Sequence, residues 1–153
     1  MINTINLKDC PELVKFLVSN KTLTMANPID KKGTIHAAAM LYFCTIDPLK
    51  FYIITSRKTE KYKLLKSNKK IKCAIVIGTE KGALFSIQMR GNLQEIETTT
   101  NKNIIDDYYI KLNNKYDDIN NPINCLLEFT PTWVRFINYS NGFNRYYLNL
   151  NQK

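Results

Sequence analysis

The sequence predicts a mainly β chain of the α+β class, an antiparallel barrel of six to seven strands with a few short helices. Three observations lead there. Short runs of aromatic and β-branched residues, such as Phe51-Tyr52-Ile53-Ile54 and residues 71–77, are bounded by Gly, Pro, Asn and Asp clusters, the pattern of strands separated by turns. Helical spacing of apolar residues is confined to brief stretches. Gly91 sits inside the strand-like run 83–96, where a glycine marks the bulge or bend that curves a sheet. Closure into a barrel is the economical arrangement of many short antiparallel strands, because it removes exposed edges.

In chain order, Asp9-Cys10-Pro11-Glu12 opens a first helix, with Asp9 as its cap and Leu13, Phe16 and Leu17 as its apolar stripe. A strand near 22–25, the turn Asp30-Lys31-Lys32-Gly33 and a second strand over 34–45 form a hairpin, in which Gly33 supplies a positive φ. Asp47-Pro48 turns the chain into a third strand at 50–55. After it come a short helix near 58–66, the strand 71–77 and the bent strand 83–96. A polar helix at 102–112 and a polar loop at 113–121 follow. Strand-like segments at 126–129 and 133–137 flank Pro131, and a last strand covers 145–150.

Length and composition narrow the class further. With 153 residues, the span 1–153 is expected to be a single domain able to bury a core without metal or disulfides. No apolar run reaches the roughly 18 residues of a membrane span, and the first residues lack the pattern of a signal peptide, so a cytoplasmic protein without membrane contact is expected. Cys10, Cys44, Cys73 and Cys125 form no C-x-x-C pair and have only His36 to join them, which argues against a metal site and for structural thiols. The net charge of +9 invites a nucleic-acid partner. Frequent Lys, Asn and Ile, acids interspersed with the lysines and the lack of an arginine cluster speak against one. What remains is a mild preference for anionic ligands.

The chain is organised around residues 51–77. There a buried-type strand ends in Thr55-Ser56-Arg57-Lys58-Thr59 and gives way to the expected short helix. Unpaired N–H groups at a helix start attract anions, the hydroxyls of Thr55, Ser56 and Thr59 stand beside them, and Lys61 shares the face of Leu64 and Leu65. A phosphate site fits this pattern, and so does an ordinary N-cap followed by a solvated lysine face. In the strand before it, His36-Ala37-Ala38-Ala39-Met40 is unusually small, so either a neighbouring element or a flat ligand approaches that backbone. His36 has no evident acid or hydroxyl partner in sequence and is read as non-catalytic. No catalytic side chain is identifiable.

Taken in order, the N-terminal helix, the 30–33 turn with His36-Ala37-Ala38-Ala39-Met40, the strand Phe51-Tyr52-Ile53-Ile54-Thr55, Lys61 with Leu64, Leu65, Ser67 and Asn68, and Gly91 resemble the pyridoxamine 5′-phosphate oxidase-like family of FMN-binding split β-barrels. The resemblance covers 11–96 well and 133–150 more loosely. It implies FMN as cofactor, with Ala38, Ala39 and Met40 along the flavin ring and Ile54, Thr55, Ser56, Arg57 and Lys61 around the phosphate. It also implies a homodimer with shared flavin sites, to which Gln88, Trp133 and Arg145 contribute. Two positions depart from the family's oxidases: Glu60 stands where they carry an arginine beside the phosphate lysine, and Ala38 replaces another. No arginine- and serine-rich loop follows residue 96, so vitamin B6 oxidation is not expected. The resemblance implies a flavin-dependent oxidoreductase with a nicotinamide electron donor and a small acceptor, possible substrates including nitroimidazoles. The alternatives are a non-enzymatic protein storing flavin, deazaflavin or haem and, further off, a basic nucleic-acid-binding barrel.

Overall fold

The computed structural model describes residues 3–113, 118–140 and 142–150; part of the polar loop expected at 113–121 lies outside them. The two-residue strand β1 (Thr4–Ile5) and a 3-10 turn (Leu7–Asp9) precede α1 (Pro11–Ser19), which buries Leu13 and Leu17. Asp9 does not cap this helix. It belongs to the preceding turn, where it accepts a hydrogen bond from Asn6, and Cys10 occupies the cap position.

The strands are β2 (Thr22–Pro28), β3 (Ile35–Leu41), β4 (Phe43–Ile46), β5 (Leu49–Ser56), β6 (Ile71–Ile77), β7 (Phe85–Ile96), β8 (Asn124–Asn138) and β9 (Asn144–Leu148). The expected strand 34–45 is two strands broken at Tyr42, whose N–H donates to Lys21 O. That break splits the barrel. β3 pairs with β2, while β4 pairs with β5, and the ladder runs on antiparallel through β8, β7 and β6 back to β2. The circuit therefore closes through the covalent step from β3 to β4 instead of through hydrogen bonds, and the far edge of β3 pairs with no described strand. β1 adds to β9 in parallel at the other margin.

The segments around Pro131 form one long strand, β8. It pairs with β7 along its length, with β5 over its first half and with β9 over its last residues. The bulge expected at Gly91 is present, since the register shifts between Arg90 and Gly91 and leaves Thr132 as the extra residue beside Pro131, which has no N–H to offer a ladder. A Cβ at Gly91 would lie 2.2 Å from Thr130 O, so the crossing of β7 and β8 at the bend needs a glycine.

Alternation sorts the sheet into two faces. Leu23, Met25, Phe51, Ile53, Ile75, Ile87, Met89 and Phe129 fill the interior together with Leu13 and Leu17 of α1. Outside, α2 (Lys102–Leu112) covers Tyr52, Ile54 and Leu126 with Ile104, Ile105 and Tyr108. The helix expected at 58–66 is instead two 3-10 turns, Glu60–Tyr62 and Leu64–Lys66. The buried apolar residues there, Tyr62 and Leu65, are three apart, which is the 3-10 period, and Lys61 O is held by Asn27 Nδ2 at 3.0 Å.

Candidate functional site

The split between β3 and β5 brings together part of the residues expected at a phosphate site. β5 ends in Thr55, buried and paired in register with Cys125, and Ser56. The chain then loops through the 3-10 turn carrying Lys61, which packs against β3. Without an α-helix here there is no helical N-terminus to hold an anion, and the donors are side chains. Ser56 Oγ accepts from Lys58 N–H at 3.2 Å, and Thr59 donates to Ser56 O at 2.8 Å, so these hydroxyls shape the turn.

Lys61 is the unusual member. Its side chain is buried, with the residue 8% exposed, yet no described carboxylate pairs with it. Burial pulls its pKa below the ordinary 10.5, and the nearby Cys125 thiol pulls weakly the other way. Glu60 does not neutralise it, because Glu60 points to an exposed ion pair with Lys63 at 2.7 Å. A lysine whose stem is buried and whose ammonium has no carboxylate partner leaves that charge to solvent or to an anionic ligand.

Arg57 is differently placed. Its guanidinium binds Glu95 through two nitrogens and donates to Pro122 O at 2.6 Å and Asn124 O at 2.8 Å. The bond to Glu95 chiefly raises its pKa, and Tyr62 OH closes the network on the other Glu95 oxygen. This arginine clamps the start of β8 to β7 and is not available to replace the arginine missing at Glu60. Ile54 is likewise occupied, packed under α2.

Along β3 the register separates the small residues. Ala38 and Met40 lie opposite Met25 and Leu23 and face inward, as does His36 opposite Asn27, whereas Ala37 and Ala39 face out. Ala38, Ala39 and Met40 therefore share only a backbone, and it lies on the unpaired edge. Gln88 and Trp133 do not join this group within one chain. They lie on the outer face of β7 and β8, with β2 and β6 between them and β3. Gln88 Oε1 accepts from Arg135 there, and Trp133 carries the Arg90 guanidinium over its ring at 4.2 Å. Arg145, exposed on β9, pairs in register with Ile137. Among the described residues no cluster of His, Cys, Asp and Glu could hold a metal ion.

Sequence reasoning missed Glu95, Tyr62 and Arg135 as members of these networks. Their partners are tens of residues away, and no local spacing signals them.

This architecture defines the class: the chain has the split-barrel fold of pyridoxamine 5′-phosphate oxidase-like proteins. Among solved structures it is similar to a protein related to general stress protein 26, of the pyridoxinephosphate oxidase family, from Clostridium acetobutylicum, with a TM-score of 0.66 and 18% identity over 94% of this chain and 95% of that one. General stress protein 26 of Bacillus anthracis matches with a TM-score of 0.61 and 17% identity over 82% and 91%. HutZ, the heme storage protein of Vibrio cholerae, matches with a TM-score of 0.64 and 16% identity over 83% and 91%. No protein-family model and no curated protein matches the sequence.

Proposed function

We propose that the protein is a homodimeric FMN-binding oxidoreductase that takes hydride from a nicotinamide cofactor and delivers electrons to a small acceptor, of which nitroimidazoles are one class. The observation that carries this reading is Lys61, a lysine buried along most of its length with no carboxylate partner among the described residues, at the open seam of the barrel. The donor set suits a flavin phosphate, with Lys61 as counter-ion beside β3 and Thr55 and Ser56 at the end of β5. The unpaired edge of β3 at Ala38, Ala39 and Met40 offers backbone groups to a flat ring, with only alanine methyls on its outward side and Met40 turned to the core. FMN, when bound, supplies the hydride chemistry, so a catalytic acid or base need not be visible in this chain. Its residues bind and orient, and Gln88 and Trp133 reach the flavin from a second copy. Glu60 and Ala38, standing where the family's oxidases carry arginines, turn the reading away from pyridoxamine phosphate.

The test is flavin titration. FMN should bind far more tightly than riboflavin, which lacks the phosphate, and equal affinities would refute the site.

Storage of haem or a deazaflavin is the second reading. The likeness to HutZ supports it, together with the inward-facing position of His36 on the open strand. A Soret band in the absorbance of the protein as purified, in place of flavin bands, would favour it.

A further inference from the structure

We infer that Asn27 is a positioning residue for Lys61: its side-chain amide fixes the backbone of the turn that carries the lysine, so that the ammonium meets a ligand's phosphate with little left to order. This rests on the flavin-phosphate reading above and adds the residue that sets Lys61 apart from the lysines around it.

Asn27 lies on β2, 34 positions before Lys61, and is 1% exposed. Alternation along the strand turns it inward with Leu23 and Met25. Its amide has two N–H groups and both are used: Nδ2 donates to Pro28 O at 2.9 Å and to Lys61 O at 3.0 Å. The reversed amide would set its oxygen against two carbonyl oxygens, so these bonds decide which way the group points. Oδ1 is then left buried without a hydrogen-bond partner, which costs stability. The use of the amide is in its donors, which tie the 3-10 turn to β2. A second tether follows directly, because Tyr62 OH donates to Glu95 of β7. The turn is thus pinned to β2 through residue 61 and to β7 through residue 62.

The neighbouring lysines have no such support. Lys58, Lys63, Lys66, Lys69 and Lys70 are exposed, and Lys63 pairs with Glu60. An exposed lysine must give up the freedom of a long side chain to hold one anion. Lys61, with its stem buried and its carbonyl tethered, has given up most of that freedom on folding. Among many lysines in a chain of net charge +9, this is what makes one of them a specific phosphate partner.

The experiment measures FMN and riboflavin affinity by fluorescence quenching, in about 0.15 M salt where diffuse charge attraction is screened. It compares the parent, Asn27→Leu, Lys61→Ala and the double variant. Asn27→Leu keeps the branch at Cγ and removes both donors. It should weaken FMN about fivefold to tenfold and leave riboflavin within about twofold, since riboflavin has no phosphate for Lys61 to meet. In the double variant Asn27→Leu should cost FMN nothing beyond the loss in Lys61→Ala, because no lysine is left to position. Hydrogen exchange of the flavin-free protein should quicken across residues 60–66 in Asn27→Leu and stay as it is in α1. Asn27→Ser carries the same test if the leucine variant does not fold: it can keep at most one of the two bonds, and should weaken FMN by a smaller factor, again without affecting riboflavin. Equal losses for the two flavins, or losses that add in the double variant, would mean that Asn27 only supports the fold, and either overturns the inference. A parent that prefers FMN while neither Asn27 variant changes that preference sinks the inference alone. A parent that binds FMN and riboflavin equally sinks the phosphate reading and this inference with it.

Discussion

Lys61 is where the phosphate reading is most exposed to test. Truncating a side chain that pairs with a phosphate removes a charge-assisted contact of roughly 1.5–3 kcal/mol. Lys61→Ala should therefore lower FMN affinity about tenfold to a hundredfold, measured by fluorescence quenching. Lys66→Ala, on the exposed side of the next turn, should change it little. Similar small losses for both, abolished by salt, would mean that a +9 protein merely attracts anions. The cysteines give a second residue-scale expectation. Burial pushes the thiols of Cys44 up to about 11 and of Cys73 and Cys125 up to about 12, while Cys10 is half exposed. At pH 8 a thiol reagent should titrate Cys10 quickly and the other three only on unfolding. Lys111 supplies a third. Its Nζ is buried over the Tyr42 ring, 4.1 Å from the centroid, with no hydrogen-bond partner. Burial lowers its pKa, and neighbouring Cys44 and Lys21 exert opposite, weaker pulls. Because the folded-state pKa lies below that of the unfolded chain, the unfolded state binds more protons in the window between the two values, and the stability that this lysine withholds at neutral pH returns as pH rises toward 10.5. Lys111→Met should raise stability by roughly 1 kcal/mol at pH 7 in urea denaturation, and the gain should shrink toward pH 10.5.

At the scale of elements, Gly91 fixes the bend on which the barrel turns. An added Cβ would meet Thr130 O at 2.2 Å and the Pro131 Cα at 2.8 Å, both backbone atoms that cannot swing aside. Gly91→Ala should cost about 3 kcal/mol in thermal or denaturant unfolding, and a loss under about 0.5 kcal/mol would mean that the bend adjusts freely. This element was legible in sequence because a glycine in a strand is a local signal. So were α1 and the 30–33 turn, where Asp30 Oδ1 accepts from the N–H groups of Lys32 and Thr34 and Gly33 takes φ +84°. The break at Tyr42 was not legible, since the run 34–45 is continuously strand-like and the partner change from β2 to β5 is a tertiary fact. The 3-10 turns escaped for a similar reason: Tyr62, Leu64 and Leu65 suit either helical period, and distant Asn27 and Glu95 decide between them. Of the site, Lys61 and the small β3 backbone could be read from residue type. Arg57 could not, because the acid that occupies it lies 38 positions away.

For the whole molecule, the residues assigned to the proposed flavin site are divided between two places on one chain. Gln88 and Trp133 lie on the outer face while Lys61 and the β3 edge lie at the seam, with β2 and β6 between. One chain cannot bring both sets to one ring, whereas a two-fold copy can present the outer face of one to the seam of the other, twice over. That face suits such contact. Thr24, Ala26, Ala37, Ala39, Ala74 and Val76 give it small side chains at adjoining register positions. In light scattering the protein should have twice the mass of its 17.8 kDa chain, whether or not flavin is added. Ala37→Glu, which adds a charge on the exposed side of β3, should produce monomers of native secondary structure that bind FMN at least about tenfold more weakly, since each site loses the side chains contributed by the partner. A monomeric parent that binds FMN stoichiometrically would show that the seam is complete alone, and the reason for assigning Gln88 and Trp133 to the flavin would disappear.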